Sequence, residues 1–327
     1  MDAVFEELIG QKSEGAEALA HLLPCIPYLS LESWLILFEK KLIHIDGQVI
    51  TPGTYLNEGQ LLRYTVPNYT EAKVDTNWKL LWQDDKIFAV HKPANLPVSR
   101  TTRNVYNTLI QLLRRESGWP DAHLLHRLDL ETSGIILIAK NKDAAREYQP
   151  KLAELLQKKI YHGIIKGQPS WLDMDFECHL NTQENSPIRC QMHVIADQQM
   201  QNQKSQGKKA KHSHTRFKVL SSNGEFSVVQ CELLTGRKHQ IRTHLSALGH
   251  PIVGDKIYAN QGEFYLKRLD DALGAADHQK LLSKHHLLHA FQVALNVDQG
   301  TVTIKDEQYS ECWKAFCQEQ NLCLGKT

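Results

Sequence analysis

Two charged side chains, Arg127 and Asp129, stand among Leu125, Leu128 and Leu130, just ahead of the apolar run Ile135 to Ala139. A charge set beside core residues loses part of its water and needs a partner or a task. A structural ion pair fits a bare Arg-x-Asp as well as a working site does. Paired-carboxylate chemistry on a sugar would need a second acid. Glu131 is the close one, but at i+2 in a turn it is poorly placed to oppose Asp129 across a ring. A second dense stretch runs Thr235-Gly236-Arg237-Lys238-His239-Gln240-Ile241-Arg242-Thr243-His244-Leu245, then Gly249-His250-Pro251-Ile252-Val253-Gly254-Asp255. Ile241, Leu245 and Leu248 form a helical apolar stripe, which leaves His239, Arg242 and Ser246 on an adjacent polar face where Arg242 can point at an anion. The i, i+5 spacing of His239 and His244, with no carboxylate between them, speaks against zinc. No metal is expected. His285, His286 and His289 read as a helix surface with one packed histidine.

The elements that must position these residues divide the chain near Asp75. Before it, Phe5 to Leu23 and Leu31 to Phe38 have apolar helical spacing, Leu42 to Ile50 alternates around an Asp46-Gly47 turn, and Leu61 to Val66 supplies another strand. After it, Trp78 to Trp82 and Ile87 to His91 read as paired strands, and Asn104 to Arg115 as a helix. Strand-like runs recur at Ile135 to Ala139, Ile160 to Lys166, Thr215 to Leu220 and Phe226 to Leu234, with a helix predicted from Asn141 to Gln157. Gln292 to Leu295 and Thr301 to Ile304 read as closing strands before a final helix, Glu311 to Gln318. Without a regular strand-helix beat, the pattern predicts an α+β fold: a mixed, largely antiparallel central sheet flanked by helices, preceded by a small α+β module. The expected domains are 1–75 and 76–327.

Composition narrows the class. At 327 residues, with 42% hydrophobic and 23% charged, the chain is globular, and its longest clean apolar stretch is far too short for a bilayer span. The start lacks the basic and apolar regions of a secretory signal, so the expected location is cytoplasmic. Seven scattered cysteines, none spaced as C-x-x-C, are expected as buried reduced thiols. Residues 1–75 hold 5 Lys+Arg against 11 Asp+Glu, whereas the rest holds 33 against 26. The larger part can therefore meet an anionic partner such as nucleic acid. Within the polar insertion Gln198 to Lys211, a phosphate-binding loop fails because Asn202 stands where its first glycine should be and Lys209 where Ser or Thr should follow the lysine. Lys208 and Lys209 remain candidates for backbone contact with nucleic acid.

Taken together, His126-Arg127-Leu128-Asp129, Thr132-Ser133-Gly134 and the Thr235 to Asp255 motif resemble the RluA-type family of RNA pseudouridine synthases. The likeness extends over about Leu80 to Ala290 and takes in Asp85 to Val98 and Lys159 to Gly167. It implies the pseudouridine synthase fold, an isomerase that needs no cofactor, and an RNA partner; ribosomal RNA is preferred over transfer RNA, and a monomer is expected. The site it implies has Asp129 as nucleophile, Arg242 as its counter-ion, and Tyr161 stacking on the uracil near the C5 proton. Arg127 would replace an extruded base in the RNA stack, while His126, Arg237 and His239 would contact RNA. Thr132 and Ser133 would shape the turn beneath Asp129, and Gly134 would permit close backbone approach. Lys40 to Val49 resembles, in degenerate form, the S4-type RNA-binding domain, although a net charge of −6 suits a phosphate clamp poorly. The competing class is a non-catalytic RNA-binding or ribosome-assembly factor on the same scaffold.

Overall fold

A computed structural model describes residues 2–26, 29–195, 209–297 and 300–323. The chain forms two compact units: one comprises the residues up to Lys73 with Ser99–Thr108, the other Val74–Val98 with Leu109–Thr327.

In the first unit, four antiparallel strands are ordered β1 (Ala3–Leu8), β4 (Leu61–Val66), β2 (Ile43–Ile45) and β3 (Gln48–Val49). Helices α1 (Ala18–Leu22) and α2 (Leu31–Glu39) complete it, the second capped by Ser30 Oγ, which accepts the Ser33 amide. The Asp46-Gly47 turn has positive φ at both residues, 50° and 84°, which short-range sequence chemistry anticipates. Of the helix expected over Phe5 to Leu23, only the end forms, as α1. Its first part pairs with β4 in the register Ala3↔Val66, and Gly10 and Gly15 interrupt the rest. Its apolar side chains instead feed a sheet core in which Phe5 stacks on Tyr64, and Tyr64 meets the edge of Trp34. Residues 104–107, expected as a helix start, are held as a loop by Glu71, whose carboxylate accepts the amides of Val105, Tyr106 and Asn107.

The second unit is built on an eleven-stranded sheet. Its path runs β11 (His193–Ile195), β10 (Asp173–Asn181), β12 (Lys211–Ser222), β13 (Phe226–Leu233), β9 (Leu156–Lys166), β14 (Leu288–Val297), β8 (Ser133–Ala139), β6 (Ile87–Lys92) and β5 (Lys79–Gln83). β15 (Gly300–Lys305) pairs with β14, and β7 (His123–Leu124) with β8. Every pairing is antiparallel except β14 with β8, so the fold is α+β with a mixed, largely antiparallel sheet. Alternate side chains of the fully buried β6 serve two cores: Ile87 and Ala89 pack toward α4 (Lys142–Tyr148), Phe88 and Val90 toward α3 (Leu109–Glu116). The other helices used below are α5 (Leu152–Leu155) and α6 (Gln240–Ala247).

The helix expected over Asn141 to Gln157 breaks into α4 and α5. Pro150, which lacks an amide hydrogen, follows the end of α4, and the chain is already in β9 at Leu156. All seven cysteines are unpaired, but Cys231 is the buried one; the other six are half-buried or, for Cys323, exposed. No helix among the described residues is long and apolar enough to cross a membrane.

Candidate active site

Asp129 sits on the loop between β7 and β8, and its neighbours are tied down one by one. Thr132 Oγ1 lies 2.8 Å from His286 Nε2. His289 Nε2 donates to the Asp306 carbonyl at 2.8 Å, so its Nδ1 is the acceptor for the Ser133 hydroxyl, also at 2.8 Å. The ammonium of fully buried Lys92 donates to the carbonyls of Pro93, Leu96 and Leu130 at 2.8 to 3.0 Å. Gly134 has φ 109°, and a Cβ there would lie 2.3 Å from the Ala290 carbonyl oxygen, so the one parallel strand pair closes only on glycine. His286 and His289 are thus loop and strand residues, buried and hydrogen-bonded. The helical histidine surface expected from sequence does not form, because His289 lies in β14 and both side chains are drawn inward by the hydroxyls of the Asp129 loop.

Arg242 comes from α6, 113 residues along the chain, and its Nη1 donates to Asp129 Oδ2 at 2.8 Å. On its other side Nε and Nη2 grip Asp255 at 2.6 and 2.9 Å, and Asp255, fully buried, also accepts the amides of Ile257 and Tyr258. The guanidinium lies over the Tyr258 ring, 5.1 Å from its centroid. Burial, the largest influence, would lift the Asp129 carboxyl, but the charge and hydrogen bond of Arg242 together with His239 and His286 outweigh it and hold Asp129 below the ordinary carboxylate range. Arg242 remains charged well beyond its ordinary range despite desolvation, because two carboxylates share it.

A cleft opens in front of Asp129; Arg127, Tyr161, Arg237, His239, Leu233 and Leu288 are among the residues that line it with Asp129 and Arg242. Tyr161 is presented by β9, paired with Cys231 on one side and Ala290 on the other. Burial first, then the Asp129 charge, pushes its phenol up, so it stays protonated. Arg127 is exposed at the cleft wall. Half-buried His126 is turned the other way: its Nε2 accepts the Leu137 amide at 3.0 Å, and burial lowers its pKa to about 4, leaving the ring neutral. The loop before α6 is pinned by Gln240, whose side chain bonds the Arg237 amide, Thr235 Oγ1 and the His214 carbonyl. Arg237 is exposed, with Nε on the His212 carbonyl at 2.8 Å. Lys209 is exposed and does not line the cleft; Lys208 lies outside the described residues.

Sequence reasoning missed Asp255, Tyr258, Gln240 and Lys92 as parts of this site. Asp255 stood inside the Gly-Asp end of the second motif, so its spacing was visible and its partner was not.

The chain matches a family model described as RNA pseudouridylate synthase over residues 86–247. It is 32% identical over 231 residues to an uncharacterised RNA pseudouridine synthase of Synechocystis sp., covering 71% of this chain and 75% of that protein. It is 30% identical to the ribosomal large subunit pseudouridine synthase D of Nitrosomonas europaea, over 74% of this chain and 67% of the relative. With the mitochondrial tRNA pseudouridine(32) synthase of Saccharomyces cerevisiae it shares 32% identity over 67% of its own length but 45% of the relative's. Among solved structures, human RNA pseudouridylate synthase domain containing 4 shares the fold, with a TM-score of 0.56 at 24% identity over 75% of this chain and 94% of that one. Motifs, fold and relatives agree that the chain belongs to the RluA-type family of RNA pseudouridine synthases, enzymes that isomerise uridine in RNA.

Proposed function

We propose that this protein converts specific uridines of structured RNA to pseudouridine, with Asp129 as the nucleophile, Arg242 as its counter-ion and Tyr161 as the stacking and proton-handling residue. The observation that carries this reading is the 2.8 Å ion pair of Asp129 and Arg242 at the wall of an open cleft. An ionised carboxylate can form a bond to the ribose and later release it, while the detached uracil turns and rejoins through carbon. The Tyr161 ring lines the same cleft and can cover a pyrimidine face. Exposed Arg127 is placed to fill the gap left by an extruded base, offsetting the few kcal/mol that unstacking costs. Net isomerisation consumes no oxidant, reductant or group donor, so the reading calls for no cofactor.

Ribosomal RNA is the preferred substrate in this reading. Its support is the even coverage of the ribosomal relative, two thirds or more of both chains, against under half of the tRNA-directed one. Mapping pseudouridine across total RNA from cells with and without the protein tests it. A site in ribosomal RNA should vanish when the protein is lost; loss confined to transfer RNA would reverse the preference, and an unchanged map would remove the activity.

A further inference from the structure

His239 precedes α6 in the left-handed region, φ 55° and ψ 17°, a conformation unfavourable for a non-glycine residue that persists only when surroundings fix it. Thr243 Oγ1 fixes it by donating to the His239 carbonyl at 3.0 Å. The ring then stands edge-on to Tyr258, with Nδ1 3.0 Å from the phenol oxygen and Nε2 3.8 Å from Asp129 Oδ1. The same phenol oxygen accepts the Met192 amide at 2.8 Å. Thr243 is a second side-chain partner of the phenol, so the tautomer is set from the other side of the ring: the Asp129 carboxylate facing Nε2 favours the proton there, which leaves Nδ1 to accept from the phenol. The opposite tautomer would set a nitrogen lone pair against a carboxylate oxygen. Burial and then the Arg242 charge lower the ring's pKa to about 4, so it carries this one proton at neutral pH.

Asp129 shows the complementary asymmetry. Arg242 holds Oδ2, whereas Oδ1 accepts no hydrogen bond from the described residues and is free to react. We propose that His239 is a fixed hydrogen-bond donor of the reaction, its Nε2–H set beside the free Oδ1 of Asp129, and that Tyr258 is the positioning residue that keeps the proton there. This rests on the nucleophilic reading of Asp129. As the Oδ1–C1′ bond forms, the C1′–N1 bond breaks and its electron pair leaves with the uracil, shared between N1 and the carbonyl oxygens. O2, adjacent to N1, comes within reach of a donor standing beside the attacking oxygen. His239 transfers no proton; it meets the charge and is released when C5 bonds to C1′, the Oδ1–C1′ bond breaks with its electron pair returning to Asp129, the C5 proton leaves to water and N1 takes one up from water.

Single-turnover pseudouridine formation on total RNA from cells lacking the protein, with folding checked by circular dichroism and melting, tests this. His239→Asn removes the Nε2 donor but suits the left-handed backbone; its maximal rate should fall about 10²-fold with little change in the half-saturating enzyme concentration. His239→Gln, which returns an N–H near the Nε2 position, should recover about tenfold of that loss. Tyr258→Phe takes the phenol away from Nδ1, and with it the acceptor of the Met192 amide, and should slow the maximal rate about tenfold. A maximal rate within twofold of wild type in His239→Asn or in Tyr258→Phe overturns the proposal. So does a His239→Asn effect confined to the half-saturating concentration, which would make His239 an RNA contact only. Asp129→Asn is the control. Were it as active as wild type, the nucleophile reading itself would fall; were it inactive beside a fully active His239→Asn, the donor assignment alone would.

Discussion

Asp129 and Glu131 are carboxylates two residues apart on one loop, each paired with a cation from the segment between Gln240 and Lys256, yet their surroundings leave them with opposite capacities. Glu131 has both oxygens on Lys256 Nζ, at 2.8 and 2.9 Å, a further bond from the His286 amide, and Arg268 3.6 Å away. Its side chain is 11% exposed, against 30% for Asp129. Burial works to raise Glu131, but Lys256 and its neighbours outweigh it and hold the carboxyl at about 2. Asp129 gives one oxygen to Arg242 and keeps the other toward the cleft. The difference lies in what remains after pairing: a saturated carboxylate locks a loop, whereas one with a spare oxygen can react.

The sharpest break of that contrast comes from the shared cation. Arg242→Ala strands Asp129 and Asp255 together in a buried site, so stability should fall by roughly 3–5 kcal/mol, read as a shift of the urea midpoint, and turnover should be lost with it. Retained turnover in a folded Arg242→Ala protein would remove the arginine from the site. Glu131→Gln should separate the two acids: stability drops by about 2–3 kcal/mol while turnover per folded molecule stays within about tenfold. Its pH dependence has a definite sign. Because the folded carboxyl titrates near 2 rather than its ordinary 4.5, the Glu131 pair stabilises fully above about pH 4.5 and loses this as pH falls toward 2. Acid unfolding curves of wild type and Glu131→Gln should therefore converge over that interval; a constant gap down to pH 2 would contradict the assignment. Arg127→Ala should have the smallest effect, and a conditional one. It should slow reaction at a stacked uridine several-fold more than at an unpaired one, and equal slowing would argue against base extrusion.

That Arg242 faces an anion was legible from its helical polar face, and its pairing with Asp129 followed from the resemblance of the two motifs to the RluA-type family. The second layer was not. Asp255, Tyr258 and Lys92 act through partners that only long-range packing brings near, and His289 reaches Ser133 through a parallel strand pair that no local pattern announces. The Phe5 to Leu23 error has the same root. Apolar spacing over Ala3 to Leu8 admits a helix until the pairing with Leu61 to Val66 supplies backbone partners, and pairing across some sixty residues outweighs local propensity. At Pro150 the breaker was in plain sight, and the helical period on either side obscured it.

Asp129→Asn removes the charge while conserving shape, and pseudouridine formed in total RNA by this variant, beside its RNA affinity, tests the account most directly. The expected result is no product with affinity within a few-fold of wild type. Product at the wild-type level would show that some other group performs the chemistry.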